Sequence, residues 1–172
     1  MRRKEVVRIL DGAMKVFFKA MLAGYAGGCD SDKVVKVKTP DGYTTITFTD
    51  GDFVVVDRYC VTSYSDFSAG TTTIFYKGNP VWIMFYAGSY PEKVIPFLKE
   101  SLVEQYRYGS FRGGRGYRYH KNRPYKYTNE GECLSSFTNF KGREEISTRL
   151  RGRLLGFHEY CGGSMLQKDA TI

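Results

Sequence analysis

Asp57 is the residue around which a binding chemistry can be built. The run Phe53 to Val61 alternates, so Phe53, Val55, Asp57, Tyr59 and Val61 share one face. A carboxylate among such neighbours needs a partner or a raised pKa. The apolar run Pro80 to Gly88 divides in the same way, with Val81, Ile83, Phe85 and Ala87 on one face and Trp82, Met84 and Tyr86 on the other. Together, Asp57, Tyr59, Trp82 and Tyr86 would floor a small-molecule pocket in which a few polar groups orient an otherwise apolar contact, with Arg112 and Glu144 at its rim. The competing reading pairs Asp57 with an arginine at a sheet edge and makes Trp82 and Tyr86 ordinary core.

A second chemistry is written between Tyr106 and Tyr127, where cations interleave with aromatic rings and no acidic residue intervenes. Cations neutralise phosphates and rings stack on bases, so Arg107, Arg112, Arg115, Tyr117, Arg118, Tyr119, Lys121 and Arg123 would suit RNA or single-stranded DNA. Phe111-Arg112-Gly113-Gly114-Arg115-Gly116 resembles a single Arg-Gly-Gly segment of RNA-binding proteins. The alternative is a solvated, mobile loop whose tyrosines pack back on the sheet.

Catalysis has less to build on. His120 lies in the basic segment and His158 beside Glu159, while the adjacent Glu144 and Glu145 would point to opposite faces of a strand. An acid/base pair of His158 with Asp57 or Glu144 requires tertiary proximity that spacing alone does not show, so no catalytic residue is assigned. There is no phosphate-binding glycine loop, no nucleophile elbow and no cofactor motif, and Gly162-Gly163-Ser164 reads as a chain reversal. The four cysteines, Cys29, Cys60, Cys133 and Cys161, form no C-x-x-C pair, and no metal site is assigned.

The elements that must position these residues follow from periodicity. Arg3 to Ala23 carries Val6, Val7, Leu10, Met14, Phe17 and Met21 at helical steps, ending at Gly24. A lysine-bearing loop leads to two hairpins, Tyr43–Thr49 with Asp52–Val61 around Asp50-Gly51, and Thr71–Tyr76 with Val81–Gly88, which form a four-stranded meander over 43–88. A helix over 91–107 starts at Pro91, and a Gly/Arg/Tyr loop spans 108–124. Tyr125–Thr128 and Cys133–Phe140 flank Asn129-Glu130-Gly131-Glu132 as a third hairpin, and Arg153–Cys161 makes the last strand, within a C-terminal region 125–166. The expected fold is a single α+β domain over 1–172: a twisted, mainly antiparallel sheet of about seven strands with an N-terminal and a mid-chain helix. The strand 80–88 is apolar on both sides and is expected to be covered on both. Helices would lie on one face, and the aromatic face would be closed by later hairpins or left partly open.

At 42% hydrophobic residues over 172 positions the chain can bury a core, and no apolar run is long enough for a membrane span. Charges interrupt the N-terminal segment, so no secretory pattern forms and a cytoplasmic location is expected. The net charge of +8 favours anionic partners in general.

Several motifs in order resemble an uncharacterised prokaryotic family, domain of unknown function number fifty-six eighty. They are Tyr25-Ala26-Gly27-Gly28, Ile46 to Tyr59, Phe67, Pro80 to Gly88, Arg112-Gly113, Gly142 to Ile146 and Tyr160-Cys161-Gly162-Gly163, spanning roughly Phe17 to Met165. Members occur alone or behind a repressor-type helix-turn-helix. The resemblance therefore implies a regulatory domain that binds a small molecule, a peptide or a protein, here in a stand-alone form because one helix precedes the motifs.

Overall fold

The computed structural model describes residues 2–29, 31–116, 124–131 and 136–166. Helix α1 (Arg3–Ala23) buries Ile9, Ala13, Val16, Phe17, Ala20 and Met21, spaced by three and four residues, and it stops where the Gly24 N–H bonds the Ala20 carbonyl at 2.7 Å. Strands β1 (Val34–Lys38), β2 (Tyr43–Asp50), β3 (Phe53–Val61), β4 (Phe67–Tyr76) and β5 (Asn79–Ser89) form an antiparallel meander. The β4–β5 hairpin turns on Lys77-Gly78 with φ of 48° and 77°, the paired left-handed conformations that match strand twist.

A short 3-10 turn (Glu92–Val94) leads into α2 (Ile95–Tyr108), which ends on a left-handed Gly109. Strands β6 (Tyr125–Gly131), β7 (Asn139–Thr148) and β8 (Leu154–Ser164) complete one eight-stranded sheet in the order β1-β2-β3-β4-β5-β8-β7-β6. No described helix is long and apolar enough to cross a membrane.

Three expectations are corrected. The lysine-bearing loop contains β1, an edge strand on which Lys36 and Lys38 stay exposed, as charged edges commonly do. Tyr125–Thr128 pairs with β7 rather than with Cys133–Phe140, of which 133–135 lie outside the described residues. Charged Lys141, Arg143 and Glu145 obscure β7 in the sequence because they occupy the outward side of a strand. Gly162-Gly163-Ser164 does not reverse the chain but continues β8, between β5 and β7.

The covering of the sheet is also the reverse of the expected one. Helix α1 lies against β2 to β5 and packs on α2, which reaches β6. It is the aromatic face of β5 that lies inward, with Trp82 and Met84 buried, while Ile83 and Ala87 are half-buried and Phe85 is 50% exposed. Trp82 is 0% exposed, stacked on Phe137 and Phe140 at 5.0 and 5.4 Å, and its indole N–H donates to the Phe137 carbonyl at 2.7 Å. The Trp82 side chain is therefore core.

Candidate functional site

The antiparallel register places polar residues of six strands on the inner face. Asp57 lies opposite Thr72, Tyr86 opposite Tyr160, His158 opposite Glu144, and Glu144 opposite Asn129. Two glycines make room for the aromatic members. Gly70 faces Tyr86, where an added Cβ would meet the phenol oxygen at 2.6 Å, and Gly142 faces Tyr160 in the same way.

Arg115 comes down on this floor from the loop after α2. Gly113 and Gly114 take φ of 64° and 70°, which lets the backbone turn into the molecule. The loop is fastened by side chains from both sides. Tyr106 donates to the Gly114 carbonyl at 3.0 Å, the Gly116 N–H donates to the Tyr127 phenol at 2.9 Å, and Asn129 donates to the carbonyls of Arg112 and Gly116 at 3.0 and 3.2 Å. The segment up to Gly116 is thus strapped down rather than solvated.

Arg115 is 7% exposed and lies over the Tyr86 ring at 4.5 Å, with Nη1 3.7 Å from Glu144 Oε1. Glu144 is 0% exposed, accepts a hydrogen bond from Tyr127 at Oε2, and has His158 Nδ1 3.4 Å from Oε1. At that distance and orientation the His158–Glu144 contact is a proximity of the imidazole to a carboxylate, not an aligned hydrogen bond. On the other side of the ring, His158 Nε2 lies 3.0 Å from Ser68 Oγ. Asp57 Oδ1 accepts from Thr72 at 2.9 Å and from Tyr86 at 2.8 Å. Among the described residues no arginine is tied to Asp57 by an ion pair.

The two buried carboxyls titrate in opposite directions. Burial pushes Asp57 up, against the hydrogen bonds of Tyr86 and Thr72 and the pull of Arg115. Burial would also raise Glu144, but the Arg115 charge, His158 and the Tyr127 hydroxyl outweigh it and hold Glu144 below the usual carboxylate range. Burial lowers His158, only partly opposed by Glu144, so the imidazole is held neutral. Arg115 stays charged: burial opposes its charge most strongly, but Glu144 and the surrounding tyrosines Tyr106, Tyr86 and Tyr127 together outweigh it.

Between this floor and the two helices lies a cavity of about 590 Å³. Asp57, Tyr59, Tyr86, Arg115 and His158 face it beside apolar groups that include Met84 and Leu98. Four atoms of the cluster have no hydrogen-bond partner among the described residues: Arg115 Nε and Nη2, Glu144 Oε1 and His158 Nδ1. A larger concavity, about 840 Å³, lies open on the outer face, where Arg143 is paired with Glu145 at 2.6 Å and Glu159 at 2.8 Å.

Of the residues read from the sequence, Asp57, Tyr59 and Tyr86 come together at the cavity, and Trp82 does not. Glu144 is not a rim residue, because three polar neighbours hold its carboxylate inside, and Arg112 is exposed and absent from the cavity lining. In the basic segment Arg107 is exposed while Arg115 is buried, so Arg115 is withdrawn from any surface nucleic-acid contact. Tyr117, Arg118, Tyr119, Lys121 and Arg123 lie outside the described residues. Sequence reasoning missed Arg115 as a floor contact and Ser68 as a neighbour of His158, whereas the proximity of His158 to Glu144, which spacing alone does not show, is met at 3.4 Å. The available signal for a group approaching β5 at this point was Gly88, a glycine inside a strand, where an added Cβ would meet the His158 ring at 2.6 Å.

Among the described residues no three His, Cys, Asp or Glu side chains gather closely enough to hold a metal. These features define an α+β protein whose antiparallel sheet, covered on one face by two helices, encloses a cavity with a polar floor. Residues 58–165 match the family model described as Domain of unknown function (DUF5680), and the chain belongs to that family. The matched span begins later than the motif resemblance, just after Asp57, and includes Tyr86, Arg115, Glu144 and His158. No curated protein and no solved structure matches the chain.

Proposed function

We propose that the chain is a non-enzymatic ligand-binding domain whose small-molecule ligand sits between the two helices and the inner sheet face, in a sensing or regulatory role. The observation that carries this reading is the cavity. Its volume of about 590 Å³ falls in the ~300–1,000 Å³ range of ligand sites, and its apolar walls converge on a few polar groups. The regulatory part rests on the helix-turn-helix company kept by the domains it resembles. Native mass spectrometry of the protein purified under mild conditions is expected to find a retained small molecule. Leu98→Trp, which fills the cavity, is expected to lose it. A retained oligonucleotide in place of a small molecule would move the reading to the basic segment.

A second reading has one observation in its favour. Ser68 Oγ, His158 and Glu144 form a file at 3.0 and 3.4 Å, the order of a nucleophile, its base and the group that orients the base. In such an enzyme the Ser68 proton would pass to His158 Nε2 as Oγ bonds an acyl carbon, and the leaving group would take that proton away. Against it, Ser68 stands within the β3–β4–β5 ladder, where backbone N–H groups serve the sheet and not an oxyanion. A fluorophosphonate probe separates the two readings. The ligand-binding reading expects no labelling of Ser68, whereas labelling that vanishes in His158→Gln would establish acyl chemistry.

A further inference from the structure

We infer that the ligand of this cavity carries a carboxylate, seated side-on against Nε and Nη2 of Arg115. The inference rests on the ligand-binding reading and adds the chemical class of what is bound.

The guanidinium is used along only part of its perimeter. Nη1 is directed to Glu144 at 3.7 Å, whereas Nε and Nη2, whose N–H bonds run parallel along one edge, have no partner among the described residues. That edge is the fork that matches two carboxylate oxygens. Native interiors rarely leave such donors unpaired, and here they belong to a residue 7% exposed in the wall of a cavity.

The fork is also preorganised. Stacking on Tyr86 and the Tyr106 and Tyr127 bonds to the flanking glycines hold Arg115 from both sides, so little freedom is left to lose when a ligand docks. Asp57 completes the polar end. Its Oδ1 is occupied by Thr72 and Tyr86, and burial favours its protonated form, which leaves Oδ2 to carry a proton toward the ligand. The walls beyond, at Met84, Ile95, Leu98 and Leu102, call for an apolar remainder.

A phosphate fits less well. Its second charge would face a guanidinium already shared with ionised Glu144, and the other cations lining the cavity, Lys36 and Lys38, belong to the exposed edge strand β1. A single planar anion is the better complement.

The test is displacement of the neutral fluorescent probe N-phenyl-1-naphthylamine by three compounds that share a 3-phenylpropyl group: 4-phenylbutanoate, 4-phenylbutanamide and 3-phenylpropyl phosphate. The probe is expected to bind the wild-type protein and not Leu98→Trp. The acid is expected to displace it at concentrations about tenfold lower than the amide, as charge-assisted bonds to a buried fork require. Arg115→Lys keeps the charge and loses the fork, and it is expected to remove most of that preference. Equal displacement by acid and amide from a bound probe would overturn the carboxylate inference while leaving the cavity reading intact. Stronger displacement by the phosphate would overturn it in favour of a phosphoryl ligand. Failure of the probe to enter wild-type protein, with no displacement to measure, would sink the cavity reading and the inference with it.

Discussion

Strands β7 and β8 carry two charge clusters back to back, and the clusters obey opposite rules. On the outer face Arg143 meets Glu145 and Glu159 at 2.6 and 2.8 Å, at the surface. One residue along, on the inner face, Arg115, Glu144 and His158 meet at 3.7 and 3.4 Å with almost no exposure. The shorter contacts are the weaker ones, because solvent screens them and side-chain entropy opposes them. The looser contacts lie where an unpaired charge cannot be tolerated. Short distance is therefore a poor guide to consequence, and incomplete bonding inside marks a place with bonds still to make.

The sharpest way to break this comparison is Glu144→Leu, which leaves the Arg115 guanidinium buried without its counter-charge. Unfolding in urea is expected to show a loss of about 3–5 kcal/mol. Adding Arg115→Met to the same protein should restore most of that stability, since an apolar pair of similar bulk replaces the ionic one. A double variant as unstable as the single one would show that shape rather than charge governs the cluster.

Next in size is Gly70→Ala. The new methyl would meet the Tyr86 phenol oxygen and the Arg58 carbonyl at 2.6 Å, pushing Tyr86 off Asp57. A cost of about 1–3 kcal/mol is expected from such overpacking, together with loss of probe binding at the cavity. Unchanged stability and binding would mean that Tyr86 has room to move.

Acid should then distinguish the inner cluster from the outer one. Burial holds His158 below its ordinary 6.5, so the folded state binds fewer protons than the unfolded state. Its contribution is full above pH 6.5 and is lost as the pH falls through the lowered folded value. Glu144 adds a later loss below its ordinary 4.5, through its own depressed folded value. Asp57, raised in the folded state, acts in the opposite sense, its contribution being lost as the pH rises. Urea midpoints measured from neutral to mildly acidic pH in the wild type and in His158→Gln isolate the imidazole from Asp57: as the pH falls, the wild type should lose stability relative to the variant.

The smallest effect belongs outside. Arg143→Ala is expected to cost at most about 1 kcal/mol, and the difference should shrink in molar salt. A salt-insensitive loss of several kcal/mol would erase the contrast between the faces.

Much of the frame was legible in the residues. The helical steps of α1, the Asp-Gly turn between β2 and β3 and the two-faced apolar strand β5 follow from local rules, as does the opposition of Glu144 and Glu145 on one strand. What escaped has a common physical cause. Strand β1 is an edge exposed on both sides, with its lysines where a buried strand would be apolar, and β7 is charged on its outward side, so both read as loop. Which face of β5 receives the helices is a tertiary choice, and Trp82 reads as part of a binding floor because an aromatic stripe looks alike in a core and in a pocket. Arg115 read as one cation among many, and only the strap made by Tyr106, Tyr127 and Asn129, residues distant in the chain, turns it inward.

The alternation of β7 also sets which length changes the chain can bear. A residue inserted or deleted between Gly142 and Ile146 would rotate every following side chain to the other face, turning one of the two clusters inside out. The exposed tip at 149–152 carries no such constraint. Length variation between related chains should therefore collect at that tip, while the frame of the strand stays fixed even where its individual outward residues drift.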